Sequence, residues 1–124
     1  MPRSVVCDAG GILAMAGVLE GTVPTDVEVL ALDWTAMTVG RFLSMRYEGN
    51  SPRTSVEIGL ALAAVHEWFP VRTLVDATLE RAGLDAIDAL DSWSAVLLAE
   101  QLDLSLLTAS SDVRSDLIEI HRPW

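Results

Sequence analysis

Two short runs set polar chemistry at the ends of apolar strands. Val5-Val6-Cys7-Asp8 is a strand-like segment closed by a carboxylate, and Leu104 to Thr108 is another closed by a hydroxyl and followed by Ala-Ser-Ser-Asp112. Between them, Asp91-Ser-Trp93 opens an amphipathic run that continues to Leu102, with Asp88 spaced to share Asp91's helical face. Strand ends and helix starts meet at one edge of an open α/β sheet, where such folds place their chemistry. Carboxylates converging there bind hard divalent cations, which prefer oxygen and need neither His nor Cys. A cation so held orients a water for phosphodiester attack and stabilises the leaving oxygen. Each acid also has a structural role open to it, since Asp8, Asp33, Asp91 and Asp112 all stand where a helix N-cap is wanted.

The elements that must position these residues alternate. Ser4 to Cys7 reads as a strand, and Ala9 to Leu19 as a helix with Ile12, Leu13, Met15 and Ala16 as its apolar stripe. After the break at Gly21-Thr-Val-Pro24 comes a second strand, Val27 to Leu32. Asp33 or Thr35 caps a helix from about Trp34 to Tyr47, whose widely spread Met37, Phe42, Leu43 and Met45 predict deep burial. Gly49-Asn50-Ser51-Pro52 is a turn, and Thr54 with Glu57 has capping-box spacing for the next helix. His66 to Val71 suits a brief strand, Leu74 to Ala82 a helix stopped by Gly83, Ala89 to Leu102 another helix, and Leu104 to Thr108 a buried strand. Leu117 to Ile120 is expected as an edge strand. Strands alternating with helices and no hairpin signals predict a three-layer α/β/α sandwich around a mainly parallel sheet, one domain over residues 1–124.

Composition narrows the function classes. The chain has 124 residues, 51% hydrophobic, enough to bury a core, and no apolar run reaches the roughly 18 residues needed to cross a bilayer. Met1-Pro2-Arg3 runs straight into a strand without a leader's apolar region, and the lone Cys7 has no disulfide partner, so a cytoplasmic protein is expected. Eight arginines, no lysine and eighteen acids give a net charge of −10, which repels nucleic acid at long range and favours a basic partner or a divalent cation. His66 and His121 have no neighbour at metal-ligand spacing, the four Trp residues suit core or interface positions, and Gly10-Gly11 lacks the Lys that a phosphate loop requires.

In order and spacing, these segments resemble the PIN domain, a family of small metal-dependent ribonucleases, and within it the VapC toxins of toxin–antitoxin systems. The resemblance covers almost the whole chain but rests on short motifs. It implies a cluster of acids holding Mg²⁺ or Mn²⁺, with Asp8 as the first. The second acid, counted back from Arg41 and Leu43, falls on Thr38. The third falls on Ser92 beside Asp91, with Asp88 as a further alternative. The fourth position follows Thr108 and holds Ser110, with Asp112 two residues on. On this layout Asp8, Asp91 and Asp112 would hold the metal and Thr108 would order a water or the loop. Thr38, Ser92 and Ser110 stand where the family carries acids, which implies weak RNase activity, or else an inactive PIN fold that binds protein partners. The resemblance further implies a homodimer, a small basic antitoxin as partner, and RNA as substrate only if the site is active. A flavodoxin-like receiver also places an Asp after its first strand, but it wants a Lys at a late strand end.

Overall fold

A computed structural model of the chain describes residues 3–47, 49, 51–83 and 89–124. Five parallel strands form its sheet: β1 (Arg3–Cys7), β2 (Val27–Leu32), β3 (Glu67–Phe69), β4 (Ser105–Leu107) and β5 (Ile120–His121). Their order is β3-β2-β1-β4-β5, so β1 is central and the direction of winding reverses between β1 and β4. Val5 pairs with Ser105 and Cys7 with Leu107, which sets the C-terminal ends of these strands side by side. That switch point is where an open parallel sheet leaves a crevice.

Alternation along β1 decides the layers. Val5 and Cys7 face one side and join a core with Ala9, Ile12 and Leu13 of α1 (Ala9–Met15), Val39 and Leu43 of α2 (Thr35–Arg46), and Ala61 of α3 (Pro52–Leu62). Val6 faces the other side with Leu30, Leu32 and Leu106, against Leu74 and against Ala95, Val96 and Leu98 of α5 (Leu90–Leu102). A 3₁₀ turn at Val71–Leu74 leads into α4 (Val75–Ala82), which packs on α5. The result is the three-layer α/β/α sandwich expected of the alternating pattern.

Several local expectations are corrected. α1 ends at Met15, not Leu19, and Gly17 follows at φ +78°, a left-handed conformation that stops a helix. Neither Asp33 nor Thr35 caps α2; Trp34 holds that position without a side-chain bond, because Asp33 is spent on the amides of Trp34 and Val71. Pro52 starts α3, with the Ser51 hydroxyl accepting from the Thr54 amide at 3.2 Å, so Thr54 is one turn inside the helix and not its cap. The last strand pairs Ile120 and His121 with Leu106 and Leu107, leaving Leu117 outside it. The deep burial expected of α2 is also wrong: Thr35, Val39 and Leu43 form one buried row, while Met37 and Met45 are 78% and 73% exposed. An outer helix meets the sheet on one side only, whatever apolar residues its other side carries.

Candidate functional site

Asp8 follows β1 and caps α1. Its extended backbone turns the carboxylate onto the helix start, where Oδ1 accepts from the Gly11 amide at 2.8 Å. Oδ2 accepts from two hydroxyls, Ser92 Oγ at 2.6 Å and Thr108 Oγ1. Asp8 is 2% exposed, and burial pushes its carboxyl above the usual carboxylate range even though these three bonds pull the other way. Thr108 comes from the loop after β4 and is fully buried; its Oγ1 also accepts from the Ser110 amide at 3.0 Å, which shapes that loop.

Asp91, in the first turn of α5, joins the same place from the other layer. Its Oδ2 accepts from the Ala9 amide at 2.8 Å and its Oδ1 from Thr35 Oγ1 at 2.6 Å. The carboxylate thus holds the N-termini of α1 and α2 to the start of α5. Burial, and then the neighbouring charge of Asp8, push its carboxyl up to about 6. A second chain of bonds fixes the same helix: Trp34 Nε1 donates to Ser94 Oγ at 3.0 Å, and Ser94 Oγ donates to the Asp91 carbonyl at 2.7 Å.

The structure therefore gathers Asp8, Asp91, Ser92 and Thr108 at the β1/β4 crevice. Asp112 is exposed in the following loop, and its contact there is its own amide donating to Ser110 Oγ at 3.2 Å. Thr38 is exposed on the outer side of α2. Asp88 lies outside the described residues. Sequence reasoning missed Thr35 as a partner of Asp91, although it sits one turn before Thr38 and so on the neighbouring part of one helical face. It also missed the Trp34–Ser94 link, for which no local signal exists. Cys7, beside Asp8, is buried, and burial holds its thiol well above the ordinary range, so it is an inert filler of the core.

A hard cation needs carboxylate oxygens with free lone pairs and a net negative cage. Here the two carboxylates are met by neutral hydroxyl and amide donors, and Ser92 gives Asp8 a proton donor at the place where a third acid is expected. Among the described residues no three His, Cys, Asp or Glu side chains come together as metal ligands. The two acids, each hydrogen-bonded to hydroxyls and amides, tie three helices to the sheet, and among the described residues they are two carboxylates where a full cage has three or four.

No family model matches the chain, and no curated protein matches it either. Among solved structures it is similar to the crystal structure of PAE2754 from Pyrobaculum aerophilum, with a TM-score of 0.60 at 17% identity over 90% of this chain and 84% of that one. That likeness is one of fold.

Proposed function

We propose that the chain is a PIN-like domain, akin to the VapC toxins in layout, whose acidic site has become a structural joint and which acts by binding protein partners. The observation that carries this reading is the Ser92 hydroxyl on Asp8: the residue at the third-acid position donates a hydrogen bond to the first acid in place of sharing a cation with it. A protein partner also suits a chain of net charge −10 better than RNA does. The partners in view are a second copy of the chain and a small basic antitoxin, in the cytoplasm.

A second reading keeps a Mg²⁺- or Mn²⁺-dependent endoribonuclease with Asp8, Asp91 and Asp112 as ligands. It is favoured by one observation, the convergence of the Asp8 and Asp91 carboxylates on the start of α1. Asp8 accepts three hydrogen bonds and Asp91 two, of about four that each carboxylate can take, so lone pairs remain on both for a cation. Thermal unfolding with and without millimolar MnCl₂, beside an RNase assay, separates the two. The binding-module reading expects no Mn²⁺ shift and no cleavage above that of Asp8→Asn. A clear Mn²⁺ shift with cleavage abolished in Asp8→Asn overturns it in favour of the enzyme.

A further inference from the structure

At the β5 edge of the sheet, a cleft of about 410 Å³ opens beside the strand, the size of a small-molecule site. Ile118, Ile120 and Arg122 line it at two-residue spacing, so one face of β5 and its flanks makes one wall. The loop that follows β4 makes the other wall, through Ser111, Arg114 and Ser115. The same alternation turns Glu119 and His121 to the opposite face of the sheet, where His121 lines a separate hollow with Val5 and Ser105.

The lining is one-sided in charge. On a chain of eighteen acids and eight arginines it holds two arginines and no acid. Neither Arg114 nor Arg122 is paired with a carboxylate among the described residues. Arg122 is nevertheless held in place, since its Nε donates to the Ser110 carbonyl at 2.9 Å and its Nη2 to the Val113 carbonyl at 3.0 Å. These bonds use two of its five N–H groups, and the outer fork of the guanidinium is left over. Glu100 stands behind Ser115, whose hydroxyl donates to it, and Arg81 bridges both of its oxygens. Asp112 and Asp116 are exposed and lie outside the lining. With Glu119 they make the surroundings negative, which disfavours a ligand of many charges. A single anionic group in contact with the guanidiniums still gains, because its hydrogen bonds are direct while the exposed acids are screened by water.

We propose that this cleft binds a small organic anion, one carboxylate or phosphate on an apolar body. The head sits on Arg122 and Arg114, whose planar forks match either group, and the body lies along Ile118 and Ile120. Nucleic acid is a poor occupant, since it would bring a row of phosphates to a chain of net −10. The cleft shares no residue with the Asp8–Asp91 joint, so the proposal stands or falls apart from either reading of those acids.

The test titrates the full chain with hexanoate and, separately, with phenyl phosphate, and follows the amide NMR shifts. At least one is expected to bind in the millimolar range or tighter with its largest shifts at residues 110–122, and the tighter of the two identifies the head group. Arg114→Gln leaves both backbone bonds of Arg122 intact and should cost roughly tenfold in affinity, partly regained in Arg114→Lys. Ser111→Asp puts a carboxylate into the cleft at an exposed position and should abolish binding without moving the urea midpoint. The proposal is overturned if neither probe binds, if hexylamine binds as well as the anions, or if Arg114→Gln and Ser111→Asp both bind as the wild type does. Inorganic phosphate binding as tightly as either probe would remove the apolar wall from the account and overturn it too. Tighter binding of a 5′-phosphorylated RNA oligonucleotide would replace the small anion with nucleic acid.

Discussion

Asp91 is charged at neutral pH in a place that disfavours charge. Its folded carboxyl titrates at about 6 against an ordinary 3.8, so between those values the folded protein holds a proton that the unfolded chain has lost. Stability from this group is therefore fully present below pH 3.8 and is lost as pH rises through about 6. The difference between 3.8 and about 6 corresponds to at most about 3 kcal/mol. Asp8, raised for the same reason, adds in the same direction. Urea unfolding should give a higher midpoint at pH 5 than at pH 7.5, and Asp91→Asn should flatten the difference; an unchanged slope in the variant would remove Asp91 from the account. Ser92→Asp probes the same joint from the other side. A third carboxylate 2.6 Å from where Asp8 now accepts a hydroxyl should destabilise the metal-free protein by roughly 2 kcal/mol, and added MnCl₂ should recover more of that loss than it adds to the wild type. Equal Mn²⁺ responses in the two proteins would show that the third-acid position does not face a cation site. At this scale the sequence was informative about Asp8 and Thr108, because a polar residue ending an apolar strand is a local pattern. Thr35 escaped notice because a hydroxyl at a helix start usually caps its own helix, and only the fold brings α5 within its reach.

α1 shows how closely an element must approach for the joint to exist. A Cβ on Gly11 would stand 2.2 Å from the Leu107 carbonyl oxygen, and one on Gly10 would stand 2.6 Å from the Ala109 Cβ. Backbone carbonyls in a sheet do not yield as flexible side chains do, so the helix itself must shift. Gly11→Ala is expected to cost about 2–4 kcal/mol in urea unfolding and to pull the Asp8 carboxylate away from Thr108. Gly59→Ala, with open space around it, should instead stabilise the free protein by up to about 1 kcal/mol. Were both substitutions equally costly, the close approach of α1 to β4 would not be what Gly11 serves. The sequence placed both α1 and β4 but could not anticipate their contact, since Gly10-Gly11 is separated from Leu107 by most of the chain. The same limit explains the error over α2. Its composition is apolar on several sides, and composition does not say that one of those sides faces solvent in an outer layer.

At the scale of the molecule, alternation of strand and helix carried the architecture: β1 and β2, β2 and β3, and β4 and β5 are parallel neighbours in chain order, while the connection from β3 to β4 crosses back over β2 and β1 and sets β4 beside β1. The sheet edges, in contrast, are short. β3 has three residues and is followed by Pro70, and β5 has two and is followed by Pro123 after one residue, so neither offers a long free edge to another strand. A homodimer would therefore rest on side-chain contacts. We propose the C-terminal region for them: Leu117 and Trp124 are each 71% exposed, while Pro123 is buried and its carbonyl accepts from the Thr22 amide at 2.6 Å. That bond anchors the tail, so Trp124 is presented from a fixed point and loses little freedom on contact. Multi-angle light scattering is expected to give the mass of two chains for the wild type and of one chain for Leu117→Ser/Trp124→Ser, with the urea midpoint of the variant, measured at low concentration, within about 0.5 kcal/mol of the wild type's. A wild type that stays a single chain at high micromolar concentration removes the homodimer. A variant that stays dimeric moves the contact to Trp68, 37% exposed on β3 at the far edge of the sheet.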